Sequence, residues 1–319
     1  MPRLKLSTIP KSLSTHLFSP TLSAFLTSPS ITNPSLHSSP LPITSFQILS
    51  DLHLEASHTP PNTYESYRIP PHAPYLILAG DVGLLTPEHY PRYLHFLTAH
   101  ADKFRAIFLV LGNHEFYHQS RDEACAAAIR LEQEPTLLGR VHVLNRRVAE
   151  VRVRNGGGEE EEVVYILGAT LNTHIPPSAA KEVAARVSDF KMIKGWSVEA
   201  HNRAFRADVD WLKDAVSRLG GKKAVIVTHH APCVAGTSKS VFEGSSVSSA
   251  FATDVLGEVL GGGGGGGGGE GVGTWVFGHT HFSADFWVKW KRGRVRLVAN
   301  QRGYFGEEEG FDIGLVVGV

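Results

Sequence analysis

Seven side chains with oxygen or imidazole donors stand at intervals along this chain: Asp51, His53, Asp81, Asn113, His229, His279 and His281. Aspartate, asparagine and histidine without thiolate suit zinc, manganese or iron better than calcium or a structural cysteine-zinc site. Seven donors exceed what one tetrahedral ion takes and match two ions that share a ligand. A carboxylate can bridge and an imidazole cannot, which points to Asp81 as the shared donor. Two divalent ions against two aspartates leave the site positive, even with a hydroxide between them, and the neutral Asn113 keeps that surplus. A positive, oxygen-seeking pair of ions is a site for phosphate.

Each donor follows a short apolar run, at residues 46–49, 75–79, 106–111, 224–227 and 274–277. Continuous β-branched and aromatic runs without alternation read as strands buried on both faces. In an α/β sheet ligands bind beyond the carboxyl ends of the strands, so five strand ends would deliver the donors to one rim. The pairs Asp51/His53 and His279/His281 are spaced i, i+2, which in extended chain puts both side chains on one side. Gly80, Gly112 and Gly278 each precede a donor and allow a sharp turn with close backbone approach.

Between the strands, residues 90–100 and 199–219 read as helices, the second with Phe205, Val209, Leu212, Val216 and Leu219 at spacings of three and four. Strands alternating with helices predict a layered α/β core with a largely parallel sheet. Residues 148–153 with 163–167, and 286–290 with 295–298, flank polar turns and predict two hairpins, hence a second sheet packed on the first. The glycines at 261–269 read as a floppy surface loop.

Lysine plus arginine equals aspartate plus glutamate, 31 against 31, so no bulk charge draws the chain to nucleic acid or an anionic membrane. No uncharged apolar run reaches the roughly 18 residues that a bilayer span needs. Two cysteines, Cys125 and Cys233, are too few for a disulfide framework and point to a reducing, cytoplasmic setting. Cys233 reads as a small apolar residue packed after a strand rather than a nucleophile. Residues 1–44 are rich in Ser, Thr, Pro and Leu, and no acidic residue precedes Asp51. That suits either an organellar targeting peptide or a disordered extension. Pro10, Pro20, Pro29, Pro34, Pro40 and Pro42 favour disorder, because they break any long amphipathic helix. The folded domain is then expected over residues 45–319.

Taken together, Asp51-x-His53, Gly80-Asp81, Gly112-Asn113-His114-Glu115, His229-His230-Ala231-Pro232 and Gly278-His279-Thr280-His281 resemble the motif series of the calcineurin-like metallophosphoesterase superfamily. The resemblance implies a four-layer αββα sandwich, two packed mixed β-sheets flanked by helices. It also implies a metal-dependent hydrolase of phosphate mono- or diesters. By resemblance, Asp51, His53 and His281 hold one ion and Asn113, His229 and His279 the other, with Asp81 between them and a bridging hydroxide as nucleophile. His114 matches the family histidine that sits over the scissile phosphate, where it can protonate the leaving group. Family members place the fifth-motif ligand at either histidine before the proline, so His230 stays an alternative to the preferred His229. Glu115 is read either as orienting His114 or as a first-turn helix glutamate. Asn300-Gln301-Arg302-Gly303-Tyr304 follows the last hairpin and is placed to return to the site rim; within it Arg302 is read as a solvated turn residue in preference to a grip on a phosphate or a substrate carboxylate. A small phosphorylated substrate is expected. The alternatives are a fold-retaining interaction module without catalysis and a protein phosphatase. No signal specifies an oligomeric state.

Overall fold

The computed structural model describes residues 44–56, 61–154, 161–242, 244–261, 269–290, 293–304 and 309–319. The extension expected over 1–44 lies outside the described residues except for Thr44, and the glycine loop of 261–269 except for its two ends.

The strands, in chain order, are β1 (Ser45–Leu49), β2 (Tyr75–Ala79), β3 (Ala106–Val110), β4 (Val141–Val143), β5 (Arg147–Arg154), β6 (Glu161–Ala169), β7 (Ala224–Thr228), β8 (Val272–Phe277), β9 (Ala284–Trp290), β10 (Gly293–Ala299) and β11 (Val316–Gly318). The helices are α1 (Tyr90–Ala101), α2 (Arg121–Glu132), α3 (Pro177–Arg186), α4 (Asp189–Met192), α5 (Val198–Leu219) and α6 (Leu256–Gly261).

One sheet has the order β11-β1-β2-β3-β4, with β1 to β4 parallel and β11 antiparallel at the edge. The other has the order β5-β6-β7-β8-β10-β9, parallel from β6 to β10, with β5 and β9 antiparallel at the two edges. Both predicted hairpins form, as β5–β6 and β9–β10. The parallel strands are divided between two sheets instead of being gathered in one. β7 and β8 join the hairpin arms, because β6 and β10 each offer them a free parallel edge.

Every residue of β1, β2, β3 and β7 is buried, as the unbroken apolar runs require. Alternate residues face opposite layers. Phe46, Ile48, Ile77, Phe108 and Val110 meet Val164, Ile166, Val225, Val227, Val276 and Val298 between the sheets. Leu76, Leu78, Ile107 and Leu109 pack with the buried faces of α1 and α2. Ile226, Trp275 and Phe277 pack with α5 and α6. The result is a helix–sheet–sheet–helix sandwich of two mixed sheets.

α5 carries the predicted stripe, burying Phe205, Val209, Leu212 and Val216; Ser197 caps its start and left-handed Gly220 its end. α2 buries mostly alanines, so its periodicity is faint in sequence; a Ser120/Glu123 capping box marks its start.

Candidate metal centre

The loops beyond β1, β2, β3, β7 and β8 converge across the mouth between the sheets. Asp51 N–H donates to the Gly80 carbonyl and His53 N–H to that of Asp81, both at 3.0 Å, which aligns the first two loops. Gly278 N–H donates to the His229 carbonyl at 2.8 Å, which joins the last two. Asp51, His53, Asp81, His279 and His281 all have left-handed backbone, with φ of 53°, 45°, 53°, 72° and 49°. Such residues are strained by roughly 1–3 kcal/mol each and persist where their surroundings over-determine them. The i, i+2 pairs therefore converge through curled loops and not through extended chain, which corrects the geometric reason given for their spacing. Close approach does require glycine. A Cβ on Gly80, whose φ is +90°, would stand 2.4 Å from His229 Nδ1, and one on Gly112 would stand 2.1 Å from Asp81 Oδ1.

All seven predicted donors are brought together, in two groups that meet at Asp81. In the first, His53 Nε2 lies 2.9 Å from His281 Nε2, and His281 Nε2 lies 3.5 Å from Asp51 Oδ1. In the second, Asn113 Oδ1 lies 2.8 Å from His229 Nε2 and 3.0 Å from His279 Nδ1. Asp81 turns Oδ2 to His53 at 3.7 Å and Oδ1 to His229 at 3.4 Å, so its two oxygens face different groups. His230 packs its ring 4.0 Å from that of His279, with Nδ1 on the Thr170 carbonyl, and is not in either group.

Several contacts fix which donor atom each residue presents. His229 Nδ1 bonds the Ala79 carbonyl at 3.0 Å, which leaves Nε2 for the cluster. Asn113 Nδ2 donates to Asp189 Oδ1 at 2.9 Å, which aims its Oδ1 at the two histidines. Tyr117 donates to the same carboxylate oxygen at 2.8 Å. His53 Nδ1 lies 3.3 Å from Glu55 Oε1. Gln301 Oε1 accepts from the His281 backbone N–H at 2.6 Å and steadies the last loop.

His114 sits beside the first group, its ring 4.4 Å from that of His53. Its Nδ1 is bonded to Glu55 Oε1 at 2.7 Å and its Nε2 to the Tyr304 hydroxyl at 2.9 Å. Burial pulls the pKa of His114 down, but Asp81 and Glu55 outweigh it and hold it up at about 9. Glu55 and Asp189 are absent from the sequence-derived site, whereas Gln301 and Tyr304 belong to the segment 300–304 expected at its rim and stand there. The signal for Glu55 was available, a carboxylate two residues beyond His53. The signal for Asp189 was not, since it lies 76 residues from Asn113.

Two readings change. Glu115 does not orient His114; it does lie in the first turn of a short 3-10 helix, His114–Phe116, but its side chain works elsewhere. Its fully buried carboxylate accepts from the backbone N–H groups of Asp81, Val82, Gly83 and Gly112 and from Tyr93 Oη, pinning the β2 and β3 loops together. Arg302 is buried, not solvated. It donates to the Leu52 carbonyl at 2.6 Å, between Asp51 and His53, with its guanidinium over the Tyr67 ring. Cys233 is buried on the helix side of the second sheet, and burial pushes its thiol up to about 12, consistent with a packed residue.

The donor set fits cations. Asp51 and Asp81 are buried, and among the described residues their ion-pair partners are histidines, not lysine or arginine. Burial opposes charge on His229, yet Asp81 raises its pKa to about 10; the surplus negative charge that holds a proton there is what a divalent ion would balance. Three clusters of donor atoms lie within metal-binding distance of one another: Asp51/His53/His281, Asp81/His229/His279 and His53/Glu55/His114.

No curated protein is significantly similar to the chain. Among solved structures, a phosphopantetheinyl hydrolase from Mycobacterium tuberculosis aligns at 17% identity over 82% of this chain and 89% of its own, with a TM-score of 0.58. A dimetal phosphatase from Danio rerio aligns at 15% identity over 83% and 89% of the two chains, with a TM-score of 0.48. A 5'-nucleotidase precursor from Thermus thermophilus aligns at 16% identity over 86% and 52%, with a TM-score of 0.41. Calcineurin-like phosphoesterase is the family whose pattern matches residues 45–283, a span that holds all seven donors as well as Glu55 and His114. With more than half of its length inside that match, the chain belongs to the calcineurin-like phosphoesterase family.

Proposed function

We propose that the protein hydrolyses phosphate esters of small molecules at a centre of two divalent ions. Asp51, His53 and His281 would hold one ion, Asn113, His229 and His279 the other, and Asp81 both. The observation that carries this reading is the posture of Asp81, whose Oδ2 faces His53 while its Oδ1 faces His229. Such a pair of ions supplies an activated water near neutral pH and offsets charge on the phosphate oxygens in the transition state.

The chain's own residues do the rest. Glu55 accepts at His114 Nδ1, which leaves Nε2 to carry the proton for the departing ester oxygen. The Tyr304 hydroxyl, on that Nε2, marks where such an oxygen would lie. Asp189 keeps the Asn113 amide from rotating, and the Ala79 carbonyl does the same for the His229 ring. The interaction-module reading has less support, since no donor position is missing or substituted.

The test is metal analysis of the purified protein, with hydrolysis of an aryl phosphate and its diester in the presence of manganese, zinc and iron in turn. Stoichiometric metal with turnover of either ester is expected. Metal-free, inactive protein would favour the interaction module. His114→Ala should cut turnover about 10²-fold or more while metal content stays. Equal loss of both would show that its role is misassigned.

A further inference from the structure

We infer that the organic group of the ester is a flat, uncharged ring, seated in a cavity beside the two donor groups; the inference rests on the phosphoesterase reading. The cavity holds about 270 Å³, and its lining includes Val234, Phe242, Val247, Phe251, Ala252 and Thr280. Two of these join it to the centre. The Phe251 ring stacks on the His279 ring at 5.0 Å and 27°, and Thr280 stands between His279 and His281 in the same loop. The segment is also tied to the chain after His230, through Ala231 N–H on the Phe251 carbonyl and a bridge between Ala231 and Ala252. A phosphate at the donor groups thus has this cavity as its neighbour on the His279 side.

The chemistry of the wall selects the occupant. Among the described residues, Arg186 is the one charged side chain lining the cavity, and its Nη1 is already held by Glu182 Oε1 at 2.9 Å and Ser246 Oγ at 3.0 Å. The other polar lining groups are hydroxyls. A charged or densely hydroxylated group entering here would give up water without gaining full compensation. A ring instead buries apolar area against valine and alanine and meets two phenylalanine faces. The volume suits one or two fused rings and is too small for a folded polypeptide. Phe242 and Val234 are 56% and 43% exposed, apolar surface of the kind that marks a ligand or partner site.

The test compares kcat/KM for 1-naphthyl phosphate and adenosine monophosphate with that for ethyl phosphate, in the full chain and in Val234→Trp and Phe242→Ala. Aryl groups leave more readily whatever the pocket, so the readout is how each ring-to-ethyl ratio changes on mutation. The indole of Val234→Trp fills the cavity, and Phe242→Ala removes one ring face; each should lower the ratio about tenfold for the ring that fits, naphthyl or nucleobase. Unchanged ratios for both rings overturn the inference and leave the phosphoesterase reading standing. No turnover of these monoesters or of an aryl phosphate diester overturns that reading instead, and fluorescence titration with 1-naphthol then decides the cavity. Binding that weakens in Val234→Trp supports a ring site; binding that is absent or unchanged ends it.

Discussion

The two donor groups that meet at Asp81 are held by different kinds of partner. Asn113, His229 and His279 are fastened from beneath, with the Ala79 carbonyl on His229 Nδ1 and the buried Asp189 carboxylate on the Asn113 amide. The group of Asp51, His53 and His281 reaches the rim through His281, while Asp51 and His53 are buried. The His281 side chain is 20% exposed, and the ring lying 4.2 Å over His53 belongs to Tyr304, itself 41% exposed. Both groups sit on loops just beyond the strands; they differ in that solvent reaches the second through His281 and Tyr304, although Asp51 and His53 are themselves buried. The buried group should therefore hold its ion more tightly, and the rim group should supply the exchangeable one.

Asp81→Ala tests whether the two groups form a unit. It removes the donor they share and should lower kcat/KM by about 10³-fold, with less than one metal ion per chain by elemental analysis. Loss of a single ion, with the other intact, would show that the groups are independent and that Asp81 serves only one of them. Asp189→Ala comes next. It frees the Asn113 amide and leaves the Tyr117 hydroxyl without its acceptor, so metal affinity of the buried group should weaken about 10- to 100-fold while the rim group is spared. Titration of the stripped protein with zinc should show one of two binding steps moved. If both steps move together, the contrast between the groups is not real. Graded chelation sharpens the same point in the unaltered protein. Activity should fall when the first ion leaves the rim, before the second is lost, and a single concerted loss would break the comparison.

Much of this centre is readable from the chain alone because each donor must sit at the carboxyl end of a buried strand. β2 and β3 are apolar throughout, β7 as far as Thr228, β1 but for Ser45 and Gln47, and β8 but for Gly273 and Thr274; a Ser, Gly or Thr stands just before the donor that follows each strand. Glu55 apart, the partners that orient the donors left a fainter mark or none. Asp189 belongs to the four-residue α4, far along the chain, and nothing near Asn113 hints at it. Gln301 reaches the last loop and Arg302 the first because β10 lies in register with β8 and delivers its end to the same mouth. Backbone curl was hidden for a different reason. Left-handed φ at Asp51, His53, Asp81, His279 and His281 is uncommon even for Asp and His, which adopt it more readily than most residues, so a strand-end reading extends the chain where the tertiary contacts impose a turn. The same holds for Glu115. Its position after His114 suggests local work, whereas its acceptors are engaged by amides from two different loops.

Glu55→Gln should have the smallest effect and bears most directly on where the rim group ends and the acid begins. Glu55 Oε1 touches both His53 Nδ1 and His114 Nδ1, at 3.3 and 2.7 Å. Glutamine keeps an oxygen that can accept from one ring but loses the charge that strengthens both contacts. The shorter contact is to His114, so the loss should appear mainly in kcat, by about tenfold, with both ions retained. If the variant instead sheds the rim ion at unchanged turnover per bound metal pair, Glu55 acts through His53. The rim group would then have a carboxylate on one of its imidazoles where the buried group has the Ala79 carbonyl on His229, and the looser hold predicted for the rim would have to be reversed.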